Sequence, residues 1–210
     1  MVENKLLTEF QDFSYEVVSE QIAESGKSKT FLRGLFQHGG VKNGNGRTYP
    51  VSLLEREINK NRSKIDKRNM LGELDHPAEG KIHLDKVSHC ITELQLQPDG
   101  KVTGAAEVFD GPDEEGGTPN GRILGSLIRR GIQLGISSRG FGSTKQSGDV
   151  NEVQDDFKLI TFDIVADPST PNAYPSAVFE DNDLESDGWY KEEKDTTTFS
   201  EILNENLKED

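Results

Sequence analysis

Along residues 87–109 polar and apolar positions alternate. Cys90, Thr92, Leu94 and Leu96 fall on one face of an extended segment over 87–97, Pro98-Asp99-Gly100 supplies a turn, and 101–109 returns as the second arm of a hairpin. Residues 30–37 and 157–166 are rich in β-formers and predict two more strands, and 136–143 predicts a strand punctuated by glycines. The period becomes helical in two places within the body. Residues 51–62 follow Pro50, which suits a first helical turn. Thr118 and Pro119 open the second helix, where Ile123, Leu124, Leu127, Ile128 and Ile132 make an apolar stripe and Gly131 and Gly135 mark the exit.

The two ends differ from the body. Leu6, Phe10, Phe13 and Val17 recur at helical spacing with acids between them, which predicts an amphipathic helix within 1–24, before the polar break at 25–29. Residues 180–210 hold a shorter stripe, Phe199, Ile202, Leu203 and Leu207, behind an acidic linker. These ends read as docking arms, removable propeptides or frayed acidic tails. Between them, over 25–179, several strands and two helices without a βαβ rhythm predict an α+β or mainly-β domain.

Charge supports the same division. The 210 residues carry 38 Asp and Glu against 24 Lys and Arg, a net charge of -14. Residues 1–24 and 180–210 hold that whole excess, and the body is neutral. An acidic chain without a basic patch makes a poor nucleic-acid binder, because phosphate contacts need clustered Lys and Arg. No apolar run approaches the ~20 residues that span a membrane. The start, MVENKLLTEF, has neither the basic nor the continuous apolar region of a secretory signal. The lone Cys90 excludes an intramolecular disulfide and fits a reducing compartment. A soluble intracellular protein is expected.

Three stretches could carry chemistry. Asp163 stands mid-strand in LITFDIVA, where a carboxylate is either on a wet face or buried with a partner. Gly135-Ile136-Ser137-Ser138-Arg139-Gly140-Phe141-Gly142 is either a plain Gly/Ser turn or a place where backbone N–H groups flank a nucleophilic hydroxyl. It is not the hydrolase nucleophile elbow, since its second Gly comes one residue late and a helix precedes the serines. Gly72-Glu73-Leu74-Asp75-His76-Pro77 holds His76 in a stiff loop, as a surface residue or as the neutral imidazole that a serine hydroxyl needs. His76, His83 and His89 match no compact zinc spacing, so no metal is expected. His89 and Cys90, adjacent in a strand, point to opposite faces and cannot form a dyad.

In chain order His76, Ser137 and Asp163 differ from the familiar serine-hydrolase orders, which argues against a common hydrolase fold. The sequence does resemble the prohead (procapsid core) proteases of large tailed bacteriophages. The resemblance rests on Asn43-Gly44-Asn45-Gly46-Arg47-Thr48-Tyr49-Pro50, GELDHP, GISSRGFGS and FKLITFDIVADPSTP, and covers roughly residues 30–178. It implies a serine endopeptidase with a fold akin to the herpesvirus maturation protease, a β-barrel surrounded by a few helices. Carried over, His76 is the general base, Ser137 the nucleophile and Asp163 the group that orients His76. Ser138 is a rival nucleophile, and Ser138, Arg139 and Gly140 are candidates for oxyanion or substrate contacts.

The resemblance further implies cleavage of phage scaffold, core and capsid precursors after Glu in aliphatic-x-Glu sequences. The site would be inside the prohead in the host cytoplasm, in a homo-oligomer without cofactor, nucleic acid or membrane. The chain's own ends hold such sequences: Leu7-Thr8-Glu9, Ile22-Ala23-Glu24, Leu203-Asn204-Glu205 and Leu207-Lys208-Glu209. Self-cleavage is therefore expected, with Glu24 and Glu205 favoured because they flank the charge boundaries. A catalytically inactive structural component of the prohead is the alternative.

Overall fold

The GISSRGFG segment is a central strand, paired on both flanks. The computed structural model describes residues 5–11, 15–21, 28–77 and 79–166. In chain order it contains β1 (Lys5–Gln11), β2 (Tyr15–Gln21), β3 (Ser28–His38), β4 (Arg47–Thr48), α1 (Val51–Asp66), β5 (Leu71–Glu73), β6 (Val87–Leu96) and β7 (Lys101–Val108). There follow α2 (Pro119–Arg129), β8 (Gly135–Gly142), β9 (Thr144–Ser147), β10 (Val150–Val153) and β11 (Lys158–Val165). One sheet runs β2-β3-β7-β6-β5, a second β1-β8-β11, and a small third β4-β10-β9.

The expected hairpin is β6 and β7, and the expected helices are α1 and α2. Thr118 caps α2, its side chain accepting from the Gly121 N–H at 3.0 Å. The apolar core lies between the sheets and under the helices. Phe36 of β3 meets Phe162 of β11 edge-to-face at 5.2 Å, while Leu53, Leu54 and Ile58 of α1 and Leu124 and Ile128 of α2 close it. No helix among the described residues is long and apolar enough to cross a membrane.

Three expectations need correction. The amphipathic helix predicted within 1–24 is absent where the chain is described: 5–11 and 15–21 are strands, β1 paired with β8 and β2 with β3. Open backbone edges on β8 and β3 outweigh the helical spacing, and Tyr15, Val17 and Val18 are good β-formers. The herpesvirus-like closed barrel is not seen among the described residues, whose strands fall in three sheets that make a mixed α+β fold.

The third correction concerns β6. A register shift between Ile91 and Glu93 breaks the alternation, so Ile91 joins Leu94 in the core, Leu96 packs against it and Thr92 is only half-buried. The acidic segment 180–210, with its stripe and Glu205, lies outside the described residues, as does Glu24.

Candidate active site

The site is assembled from two neighbouring strands and one loop. β8 and β11 pair antiparallel with Ser137 opposite Asp163, so the two side chains share a face. The loop after β5 is then fastened over that face. Leu74 bridges to Ile164, the Asp75 N–H donates to the Ile164 carbonyl at 2.7 Å, and the Asp75 carboxylate accepts from the His76 N–H at 3.0 Å. Asp75 makes the turn in the left-handed region, at φ 70°.

This delivers His76 between the two strand residues. A carboxylate only accepts, so His76 Nδ1 donates to Asp163 Oδ2, at 2.9 Å, and Nε2 accepts from Ser137 Oγ, at 2.5 Å. Asp163 is fully buried, which settles the choice between a wet face and a partnered carboxylate. Of the two serines, the structure brings Ser137 to His76. Ser138 Oγ is buried with no hydrogen-bond partner among the described residues.

Asp163 is held from its other sides as well. Its Oδ1 accepts from the Glu73 N–H and from Arg139 Nη2, both at 3.0 Å, and Arg139 Nε lies 2.8 Å from Oδ2. Arg139 stands two residues after Ser137 and therefore on the same face of β8. Its guanidinium is wholly buried, also reaching Glu73 Oε1 at 3.3 Å and the carbonyls of Glu79 and Lys81 at 3.2 and 3.0 Å.

Arg139, expected as an oxyanion contact, instead turns its Nη1 and Nη2 donors to carbonyls and carboxylates, with Nε lying against Asp163. Gly140 is small for packing: a Cβ there would stand 2.5 Å from the Phe157 ring and 2.6 Å from the Lys158 carbonyl.

Sequence reasoning assigned Glu73 no role in the site. Glu73 is buried, ties Arg139 to the loop and accepts the His83 N–H at 2.8 Å. The available signal was a second acid inside GELDHP, next to residues already suspected. His89 was also passed over. It is buried behind the site, and Nε2 must donate to the Phe162 carbonyl at 3.0 Å, so Nδ1 accepts from Ser88 Oγ at 2.9 Å. Burial lowers the His89 pKa, outweighing the Asp163 charge and the Phe162 carbonyl, which raise it. Burial also raises the Cys90 thiol, leaving it a poor nucleophile.

A serine hydroxyl bonded to an imidazole that is bonded in turn to a buried carboxylate is the arrangement of serine hydrolases. The profile of the prohead core protein serine protease family matches residues 10–183, and this chain belongs to that family. It is 31% identical over 169 residues to the prohead core protein protease of Enterobacteria phage T4, a match spanning 77% of this chain and 76% of that protein. The solved structure of the bacteriophage T4 capsid assembly protease is similar with a TM-score of 0.70 at 28% identity, covering 78% of this chain and 98% of that one.

Proposed function

We propose that this protein is the serine endopeptidase of phage head maturation. It acts inside the prohead, in the host cytoplasm, on scaffold and capsid precursors and on its own ends, cutting after Glu in aliphatic-x-Glu sequences. The observation that carries the reading is the hydrogen-bonded chain Ser137–His76–Asp163 in a member of this protease family. Ser137 Oγ attacks the scissile carbonyl while His76 Nε2 takes its proton. Asp163 keeps Nδ1 protonated and stabilises the imidazolium, which then protonates the leaving amine. Water, deprotonated by the same ring, releases the acyl group from Ser137. Backbone N–H groups near Ser137 receive the oxyanion, since the Arg139 guanidinium is committed to Asp163 and Glu73.

Intact-mass spectrometry of the purified full chain and of Ser137→Ala tests this. The wild type is expected to lose its ends after Glu, at Glu24 and Glu205, while Ser137→Ala stays whole. Equal trimming in both would remove Ser137 as nucleophile and put Ser138→Ala next. If neither changes and an added aliphatic-x-Glu peptide also survives, the protein is the inactive structural component.

A further inference from the structure

One flank of β8 carries β11. The other carries β1, in a register that sets Leu7 opposite Gly140, Glu9 opposite Ser138 and Phe10 opposite Ser137. The peptide bond after Glu9 therefore lies abreast of the serine pair, and the residues before it read Leu7-Thr8-Glu9, an aliphatic-x-Glu sequence. A strand that only completed a sheet would need backbone pairing and a buried Leu7, both of which β1 has.

β1 has something more. The Thr8 carbonyl accepts from Asn45 Nδ2 at 3.1 Å and from Arg47 Nη1 at 3.0 Å. Both donors come from the Asn43-Gly44-Asn45-Gly46-Arg47 stretch, which His76, Ser137 and Asp163 do not explain. That loop is built in advance: the Asn43 side chain accepts the N–H groups of Asn45 and Arg47 at 3.1 and 2.9 Å, and Gly46 turns at φ 71°. Beyond Leu7 the seat opens into a cavity of about 440 Å³ bordered by Arg47, Gly142, Ser143 and Asn151. Two side chains aimed at one backbone carbonyl, one residue ahead of a Glu, grip an extended chain without reading its side chain.

We propose that the flank of β8 over 136–142, with Asn45 and Arg47 as positioning residues, is the seat of the substrate's extended chain. In the uncut protein β1 occupies it as a tethered competitor. Substrate would then bind by strand addition to the β8 edge that β1 vacates. This rests on the peptidase reading of the same site. While β1 is docked only a fraction of molecules can bind substrate, and apparent affinity falls by that fraction.

Two readouts on the full chain test it, the first independent of catalysis. In Ser137→Ala, a fluorescein-labelled peptide with the Lys5–Gln11 sequence is titrated by anisotropy, with and without Leu7→Asp to loosen β1. Leu7→Asp is expected to tighten binding about tenfold, and adding Asn45→Ala with Arg47→Ala to abolish that gain. A folded Leu7→Asp chain that binds no better, or binding indifferent to Asn45 and Arg47, overturns the proposal. Should Leu7→Asp not fold, hydrogen exchange in Ser137→Ala decides. Saturating peptide must speed exchange of the 5–11 amides, and unchanged exchange overturns the proposal.

The second readout is hydrolysis of an aliphatic-x-Glu peptide by chains with Ser137 intact, where Arg47→Ala is expected to raise KM more than it lowers kcat. No hydrolysis and no fluorophosphonate labelling of Ser137 would defeat the peptidase reading, while the binding arm still judges the seat.

Discussion

Asp163 is a carboxylate with no exposure, and its surroundings explain why burial is tolerated. It receives the His76 Nδ1–H, the Glu73 N–H and the Arg139 guanidinium, so each oxygen has a donor. Asp163→Asn keeps the shape but offers an amide where His76 needs an acceptor, and the ring is free to take the wrong tautomer. A loss of about 10³–10⁴-fold in kcat is expected, with the melting temperature much less affected; kinetics and a thermal melt together check it.

His89 gives a pH signature at the same scale. Its pKa in the folded protein is lowered, while in the unfolded chain it returns to about 6.5. Its contribution is fully present above that value and is lost as pH falls below it, because the unfolded chain binds the proton more readily. Unfolding free energies from urea titrations between pH 7.5 and 5 are expected to fall more steeply for wild type than for His89→Gln, by up to about 1.4 kcal/mol per pH unit. Parallel slopes would show that His89 is not the group responsible.

Two elements are held in place by residues whose pattern looks unhelpful. α1 turns six residues inward, and two of them, Glu57 and Asn61, are polar. They lie four apart and both address the backbone of Leu159 at the irregular start of β11. Glu57 Oε2 accepts the Leu159 N–H at 3.0 Å and Asn61 donates to the Leu159 carbonyl at 3.3 Å. Burial pushes the Glu57 pKa up, but bonds from Lys60, the Leu159 N–H and Arg56 more than offset it, and the net direction is down. Glu57→Ala leaves a buried N–H without its acceptor and is expected to cost about 1–3 kcal/mol in chemical denaturation.

Gly72 performs the comparable task for β5. A Cβ there would stand 2.1 Å from His89 Nε2 and 2.4 Å from the Phe162 carbonyl, the two atoms that bond each other. Gly72→Ala is expected to destabilise by about 1–3 kcal/mol and to lower activity with it, since β5 leads into His76. An unaltered melt would place the crowding elsewhere.

For the molecule as a whole, the N-terminal strands β1 and β2 and the paired strands β8 and β11 are one structural problem. His76 and Ser137 are 61 residues apart and His76 and Asp163 are 87 apart, so the site exists only when both long-range pairings have formed. β1 and β2 add outer strands to two different sheets. Trimming after Glu24 would remove both and bare the β8 edge. The trimmed product, followed by calorimetry, is therefore expected to melt below the uncut Ser137→Ala chain. Equal melting temperatures would show that β1 contributes no net stability.

Much of the body is legible along the chain. Proline and threonine at helix starts, the Pro98-Asp99-Gly100 turn and alternating β-formers are local signals, and α1, α2 and the β6–β7 hairpin follow from them. The family resemblance carried by GELDHP, GISSRGFGS and FKLITFDIVADPSTP pointed to His76, Ser137 and Asp163, and the fold brings these three side chains within hydrogen-bond reach.

The rest depends on partners distant in sequence. Leu6, Phe10, Phe13 and Val17 carry a helical period, yet the described residues among them extend along strand edges, where interstrand hydrogen bonds outweigh intrinsic preference. The shift in β6 is a register event invisible to a period count. Arg139 looked like an oxyanion contact and Glu73 had no role assigned, and only the folding of the 73–77 loop over β8 and β11 made them the buried frame around Asp163. Buried charges are satisfied by geometry, and no spacing along the chain encodes which distant carbonyl or carboxylate will supply it.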